Sequence, residues 1–247
     1  MHFKKYYSKY YNIVYKKKNY KSEIDYIIKV LGSRIKHIKS ILELGSGTGS
    51  HAYFLLKKGF NLTCVEQSRD MIANFKVKSK SVKIVNKDLK KIKLKKKFDL
   101  VLSMFHVINY MTKNKDLDSF FKVASSHLNS GGFLLFDTWY YPAVKYNRPK
   151  ITKKIFKDKN FVIDRKATPK KLDKKIYKIK YNINILNLNN SKNSNFTEVH
   201  KIRAFEISEL DKVSKKFNFK KINNYAFLKK TNPNKNNWGA VLIYQKI

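Results

Sequence analysis

The stretch ILELGSGTGSHAYFLLKKGF, residues 41–60, decides how the chain is read. An apolar run leads into Gly45, Gly47 and Gly49, which alternate with Ser46 and Thr48, and a helical-looking run follows at once. Glycine lets the backbone turn tightly and approach a ligand. The first helical turn adds free N–H groups and the positive end of a helix dipole. Phosphate, a dinucleotide and S-adenosylmethionine are all held by loops of this kind. A dinucleotide fingerprint is G-x-G-x-x-G, but Ser50 stands where its third glycine belongs. A P-loop ends in G-K-[ST], and His51 and Ala52 do not supply that. A strand-to-helix turn with no ligand is the bland alternative.

Working outward, NLTCVEQSRDM ends a second strand in Glu66, nineteen positions past Gly47. In an open α/β sheet the end of that strand lies beside the glycine loop. A carboxylate there can accept both hydroxyls of a ribose, which fits NAD and S-adenosylmethionine alike. The third strand ends in Asn86, Lys87, Asp88 and Leu89. Asp88 suits the exocyclic amine of adenine, and Leu89 suits the face of the ring. The fourth, FDLVLSMFHVINY, reaches the open end of the sheet at Met104, Phe105 and His106. An imidazole titrates near neutrality, so His106 suits hydrogen bonding to an acceptor or removal of its proton, and a structural histidine is the plain alternative.

Strand and helix alternate from residue 40. Strands are expected at SILELG, NLTCVE, VKIVNKD, FDLVLSMF and GFLLFDTW, and helices at SHAYFLLKKG, SRDMIANFKVKS and DLDSFFKVASSHLNS. Near-continuous apolar strands indicate a parallel sheet covered on both faces. Ser68 is expected as an N-cap, and Gly59, Gly131 and Gly132 as helix ends. Upstream, KKYYSKYYNIVY reads as a short aromatic helix, and SEIDYIIKVLGSRIK as an amphipathic one with Ser22 and Asp25 in capping-box positions. After Pro142, FVIDRKATP, KKIYKIKYNINILNL and FTEVHKIRAFEI read as long antiparallel strands, with SKNSN as a hairpin tip. SELDKVSKKFNF reads as a helix with Ser208 and Asp211 as its box, and KINNYAFLKK and NWGAVLIYQKI as closing strands. The expected organisation is a single domain. It comprises a helical lid (1–37), a cofactor core (38–142), an antiparallel insertion for the acceptor (143–206), and a helix and strands completing the sheet (207–247).

Composition narrows the class. Hydrophobic residues make up 43% of 247, enough for a real core. No run of 18 apolar residues suggests a membrane span, and the lysine- and tyrosine-rich start has no apolar signal core. With Cys64 as the one cysteine, no internal disulfide can form, and a soluble cytoplasmic protein is expected. The formal charge is +38, with five arginines among 55 basic residues. A polyanionic partner is one explanation. The other is coding bias, because the chain is also crowded with Asn, Ile, Phe and Tyr, which share A/T-rich codons with lysine.

LELGSGTGSH, VEQSRDM, the NKDL turn, FDLVLSMFHVINY and HLNSGGFLLFDTWYYP resemble, in order and spacing, the motifs of class I S-adenosylmethionine-dependent methyltransferases over residues 38–142. The resemblance implies a Rossmann-like seven-stranded sheet with one antiparallel strand near its edge. It places Gly45, Gly47 and Gly49 at the methionine portion, Glu66 on the ribose and Asp88 at the adenine. The wider expected cofactor set adds Tyr11, Glu43, Ser46, Thr48, Gln67, Met71, Leu89, Met104 and Phe105. The leader YYNIVYKKKNYKSE, the SMFHVINY segment, and DTWYYPAV followed by EVHKIRAFEISEL look like the N-methyltransferases acting on nucleotide-linked amino sugars. That similarity implies mono- or dimethylation of a sugar amine, a leader that closes over the cofactor, and an insertion that helps form the sugar-nucleotide pocket.

His106 and Tyr15 are then the candidate catalytic residues. Trp139, Tyr140 and Tyr141 would wall a sugar or base, Arg148 and Arg203 would fork a diphosphate, and His200 would join them from an insertion strand. Rival readings are an RNA or other nucleic-acid methyltransferase, a small-molecule O-methyltransferase and a non-catalytic cofactor-binding protein. Base amino methylation usually needs [DNS]-P-P-[YFW] after the fourth strand, where this chain has SMFHVI. Asp137 lacks a convincing set of partners, so no metal is expected. A homodimer stays open.

Overall fold

The computed structural model describes residues 5–77 and 79–247, with side chains from residue 8 onward. Lys4 of the expected first helix and Lys78 of the helix after the second strand lie outside them. The leader forms α1 (Lys5–Val14) and α2 (Tyr20–Leu31). Asn19 caps α2 by accepting from the Ser22 N–H at 2.9 Å. The expected Ser22/Asp25 box does not form. Ser22 already sits in the first turn, where its hydroxyl donates back to the Asn19 carbonyl, and Asp25 pairs outward with Lys21 and Lys58.

The core follows as β1 (Ser40–Leu44), α3 (Ser50–Lys57), β2 (Asn61–Val65), α4 (Arg69–Ala73), β3 (Val82–Val85), β4 (Phe98–Ser103), α5 (Asn114–His127) and β5 (Leu128–Trp139). The chain then adds α6 (Tyr141–Tyr146), β6 (Thr152–Lys157), β7 (Phe161–Lys171), β8 (Ile176–Asn187), β9 (Asn193–Arg203), α7 (Ile207–Lys215), β10 (Phe219–Ala226) and β11 (Gly239–Lys246). The main sheet has seven strands in the order β10-β11-β5-β4-β1-β2-β3. β1 through β5 pair parallel, and β11 runs antiparallel to both neighbours. Strand order therefore reverses between β1 and β4, which opens a crevice at their carboxyl ends where such sheets bind ligands.

Alternation along β1 feeds two cores. Leu42 and Leu44 pack with Phe120, Phe121 and Phe136 on one face, and Ile41 packs with Ile24, Ile27, Leu31 and Leu55 on the other. Phe136 stacks on Tyr244 with centroids 5.9 Å apart, and Phe120 meets Phe136 edge-on at 5.6 Å. Burying each such ring contributes roughly 2–3 kcal/mol, which fixes the sheet as a platform for the loops at its edge.

Several local expectations are corrected. α4 stops at Ala73 instead of continuing to residue 79. The Asn74 amide donates to the Asp70 carbonyl, and the Lys76 N–H reaches the Thr48 carbonyl at 2.9 Å, drawing Phe75 over the glycine loop. Ser68 does cap α4, accepting from the Met71 N–H. Gly131 and Gly132 do not end α5, because the strand begins at Leu128. A Cβ on Gly132 would stand 2.9 Å from the Asn129 carbonyl, so close packing requires the glycine. Ser208 lies inside α7, and Asp211 instead accepts from the Tyr244 hydroxyl, so that box does not form either. The hairpin turn falls at 188–192, overlapping only the start of the expected tip. β6 and α6 were not expected.

β6 to β9 form a separate antiparallel sheet in sequential order. Its inner face packs Ile163, Ile183 and Ile185 against Tyr10, Tyr11 and Val14 of the leader, and Tyr177, Ile179 and Ile202 against Tyr141 and Val144. Leader and second sheet thus cover the crevice from two sides. No helix among the described residues is long and apolar enough to cross a membrane.

Candidate active site

A cavity of about 470 Å³ fills the crevice between the carboxyl ends of the main sheet, the leader and the second sheet. Its first wall is the glycine loop. Gly45, Gly47 and Gly49 all take positive φ (76°, 57° and 72°), where glycine alone is unstrained. Gly45, Ser46, Gly47 and Thr48 line the cavity. Gly49 does not; it turns into α3, and a Cβ there would stand 2.5 Å from the Phe75 ring. Around Gly47, by contrast, a Cβ would meet nothing within 4 Å, so the backbone is open to a ligand.

Glu66 closes this wall. It is buried, and its carboxylate accepts from the Gly47 N–H at 3.0 Å and the Ser68 N–H at 2.8 Å. Burial pushes its carboxyl above the usual range, and those N–H groups only partly offset the shift. Gln67, Met71, Asp88, Leu89, Met104 and Phe105 also line the cavity, with Asp88 held by the Lys90 N–H at 2.9 Å. Glu43 lies beneath the loop and does not line the cavity. It is fully buried, and burial raises its carboxyl to about 7 against the opposing pull of His51 and the Cys64 thiol. His51, which does line the cavity, links it to the leader through Glu23, 2.7 Å from the ring Nε2.

The leader forms the roof. Asn12 accepts from the Thr48 hydroxyl at 2.8 Å, Tyr11 and Tyr15 lie 4.6 Å apart, and Tyr15 meets Phe105 edge-on at 5.1 Å. Arg165, on the second sheet, donates to the Tyr15 hydroxyl at 3.2 Å and covers its ring. Tyr11 and Tyr15 both face the cavity.

The far wall holds His106. Phe105 and His106 both adopt left-handed φ, 67° and 62°, in a tight turn after β4. Two such residues in succession are strained, and strain of this kind gathers at functional sites. Asp137 of β5, almost wholly buried, anchors the turn by accepting from the His106 N–H at 2.9 Å. Its other oxygen lies 3.0 Å from the ring Nδ1. Burial would raise the Asp137 carboxyl, but the neighbouring imidazole and the backbone N–H outweigh it and hold the group below the usual carboxylate range. Trp139, Asn109, Tyr110, Tyr181, His200 and Ile202 complete this wall. The Tyr110 hydroxyl and His200 Nδ1 are 2.8 Å apart.

Four expected acceptor residues lie elsewhere. Tyr140 stands just before α6 and bridges Phe205 through its backbone, and Tyr141 is packed into the core beside Val144 and Tyr177. Arg148 is exposed after α6. Arg203 is tied to Asn114 and Glu209 on the outer side of the insertion. Conversely, Tyr20, His51, Asn109, Tyr110 and Tyr181 line the cavity without having been singled out. Asp137 was legible as a lone carboxylate in the apolar run FLLFDTW, but its partner across the sheet was not. Among the described residues no three His, Cys, Asp or Glu side chains gather as a metal site.

The cavity fits S-adenosylmethionine on its own evidence. Besides the open backbone at Gly47, the Ser46 hydroxyl is buried on the wall with no partner among the described residues, a polar group ready for a polar ligand. Glu66 and Asp88 stand at successive strand ends, where ribose and adenine would lie.

Residues 41–132 match the family model described as a methyltransferase domain. The chain is 26% identical over 125 residues to the dTDP-3-amino-3,4,6-trideoxy-alpha-D-glucopyranose N,N-dimethyltransferase of Streptomyces venezuelae, covering 51% of this chain and 53% of that one. It is 24% identical over 103 residues to the dTDP-3-amino-3,6-dideoxy-alpha-D-glucopyranose N,N-dimethyltransferase of Streptomyces fradiae, covering 42% and 40%. The matches therefore span about half the length of these curated relatives, or less. The fold is similar to that of DesVI from Streptomyces venezuelae, with TM-score 0.83, 18% identity and 98% of each chain covered. It is also similar to that of the sugar N-methyltransferase KedS8 from a Streptoalloteichus species, with TM-score 0.81, 17% identity and 96% and 92% covered. Residues 41–132 thus carry the match to a methyltransferase domain, and the fold of the whole chain is similar to that of methyltransferases of known structure.

Proposed function

We propose that the protein methylates the amine of a nucleotide-linked amino sugar. The observation that carries this reading is the His106–Asp137 pair on the wall facing the glycine loop, a base poised over the same cavity as the cofactor wall. The names of the curated relatives support the acceptor class. Bound S-adenosylmethionine supplies an electrophilic methyl group on a sulfonium sulfur. The remaining work is alignment and proton handling by the chain. The amine must present its lone pair, so His106 accepts a proton from the nitrogen and Asp137 stabilises the resulting imidazolium. Tyr15 hydrogen-bonds the amine from the roof. Trp139 and Tyr181 offer aromatic faces to the sugar, and the Tyr110–His200 pair offers it polar contacts.

The test is turnover with S-adenosylmethionine over a panel of 3- and 4-amino nucleotide sugars, their hydroxy counterparts and RNA. Mono- and dimethylated amines are expected. Transfer confined to the hydroxy sugars or to RNA would reject the assignment.

A further inference from the structure

The outer face of the second sheet has no part in the cavity. Its register puts the cavity-lining side chains on one face and a group of lysines on the other, where Val199 stands opposite Lys180. On the inner face, Tyr181, His200 and Ile202 line the cavity. On the outer face, Lys170, Lys178 and Lys201 stand directly opposite one another on β7, β8 and β9. Lys180 lies one step along, and Lys166 pairs with Lys153 of β6. All six are exposed. At the other end of the same strands the outer face carries Asn182, Asn184, Asn193, Asn195 and Asp164. Lys153 and Asp164, 3.5 Å apart, form an ion pair. No pair is found among the described residues for Lys166, Lys170, Lys178, Lys180 or Lys201.

Coding bias does not account for this sorting. A/T-rich codons supply lysine and asparagine alike, and bias acts on sequence without regard to strand register. Like charges placed directly opposite in a sheet are destabilising. A row of three is a standing cost that a polyanion would relieve. Strands lie about 4.8 Å apart, so the row and its neighbours set flexible ammonium groups over a patch wide enough for several successive phosphates. Arg203, two positions past Lys201 on β9, is already held by Asn114 and Glu209, and no aromatic side chain stands among the lysines of the row. Neither bidentate base readout nor base stacking is therefore provided.

We infer that the lysine end of this outer face is a docking surface for a nucleic-acid phosphate backbone, bound without sequence preference. The surface lies on the back of the acceptor wall and is separate from the methyl-transfer cavity. Binding there does not make the nucleic acid a substrate.

Anisotropy of a fluorescein-labelled single-stranded RNA, titrated with protein at several salt concentrations, tests the surface. The variant Lys170→Glu/Lys178→Glu/Lys201→Glu is compared with a control of identical net charge, Lys29→Glu/Lys36→Glu/Lys215→Glu, whose three sites are exposed on other elements. The face variant should bind at least about tenfold more weakly, and its log-affinity against log-salt slope should shrink by about 2, at roughly 0.7 for each phosphate no longer neutralised. The control should weaken by less than about threefold. Three alanines at the same face positions give a milder weakening in the same order and guard against a folding defect, which circular dichroism reports. Equal weakening in face variant and control would mean that bulk charge alone binds RNA, and would overturn the proposal. So would the absence of wild-type binding near physiological salt, or capture by phosphatidylserine-containing vesicles but not by RNA.

Discussion

At the residue scale the account rests on His106 and on the carboxylates around the cavity. Asparagine tolerates left-handed φ, so His106→Asn preserves the turn at φ 62° while removing the base. Steady-state kinetics should show kcat lowered by about 10²–10⁴ with cofactor affinity within about threefold of wild type. Asp137→Asn keeps an acceptor for the His106 N–H but removes the charge that stabilises imidazolium, and should fall in the same direction. A kcat within about threefold of wild type for both variants would make the pair structural. Glu43 gives a second expectation, in stability. Its carboxyl is raised by burial from 4.5 to about 7 in the fold, so the folded state holds a proton that the unfolded chain releases earlier. That contribution is complete below about 4.5 and is lost as pH rises through about 7, an amount on the order of 3 kcal/mol. Denaturant melts at about pH 5 and pH 8 should show this decline in the wild type and a much smaller one in Glu43→Gln. An unchanged decline in the variant would place its origin elsewhere. Glu23 works in the opposite sense: burial would raise it, but His51 and Lys18 hold it low, so its contribution is lost on acidification instead.

At the element scale, the leader is held over the cavity at three points: Asn12 on Thr48, Glu23 on His51, and Tyr15 under Arg165. Arg165 also covers the rings of Phe156 and Tyr181, at 5.0 and 5.2 Å. Its planar guanidinium can stack and donate together, which an ammonium cannot. Arg165→Ala should therefore loosen the leader from the second sheet. Hydrogen exchange across residues 8–18 should quicken, and S-adenosylmethionine binding should weaken by about tenfold, with Arg165→Lys intermediate. Unchanged exchange in that segment would remove Arg165 as the clasp. The elements themselves were largely legible. Near-continuous apolar runs marked the parallel strands of the main sheet, and helical spacing marked most helices. They failed where a distant contact overrides local preference: α4 is cut short because Phe75 is drawn over Gly49, and the Ser22 and Ser208 caps are displaced by Asn19 and by the position of α7. β6, rich in lysine and exposed, carries too little apolar alternation to announce itself.

At the scale of the whole molecule, the order of strand ends around one crevice was readable from spacing alone, because the topology of an open α/β sheet brings successive βα loops to one edge. That is why the glycine loop, Glu66, Asp88 and Met104 to His106 were anticipated as neighbours. The acceptor side was less legible. Which insertion residues face inward depends on strand register and on how the second sheet leans over the first. His200 and Trp139 reach the cavity, while Arg148 and Arg203 lie outside it, and Asp137 and Tyr110 join the site through contacts 31 and 90 residues distant in sequence. With both arginines outside the cavity lining, the arginine fork expected for a diphosphate does not form there. The central claim, methyl transfer to nitrogen within this cavity, is tested most directly by incubating the protein with S-adenosylmethionine carrying a carbon-13 methyl group and an amino nucleotide sugar, then recording the carbon–proton correlation spectrum of the product. The account predicts a labelled methyl signal at N-methyl positions of the sugar, absent with His106→Asn over the same interval. A label found only on oxygen, or no label on the sugar while the cofactor binds, would contradict it.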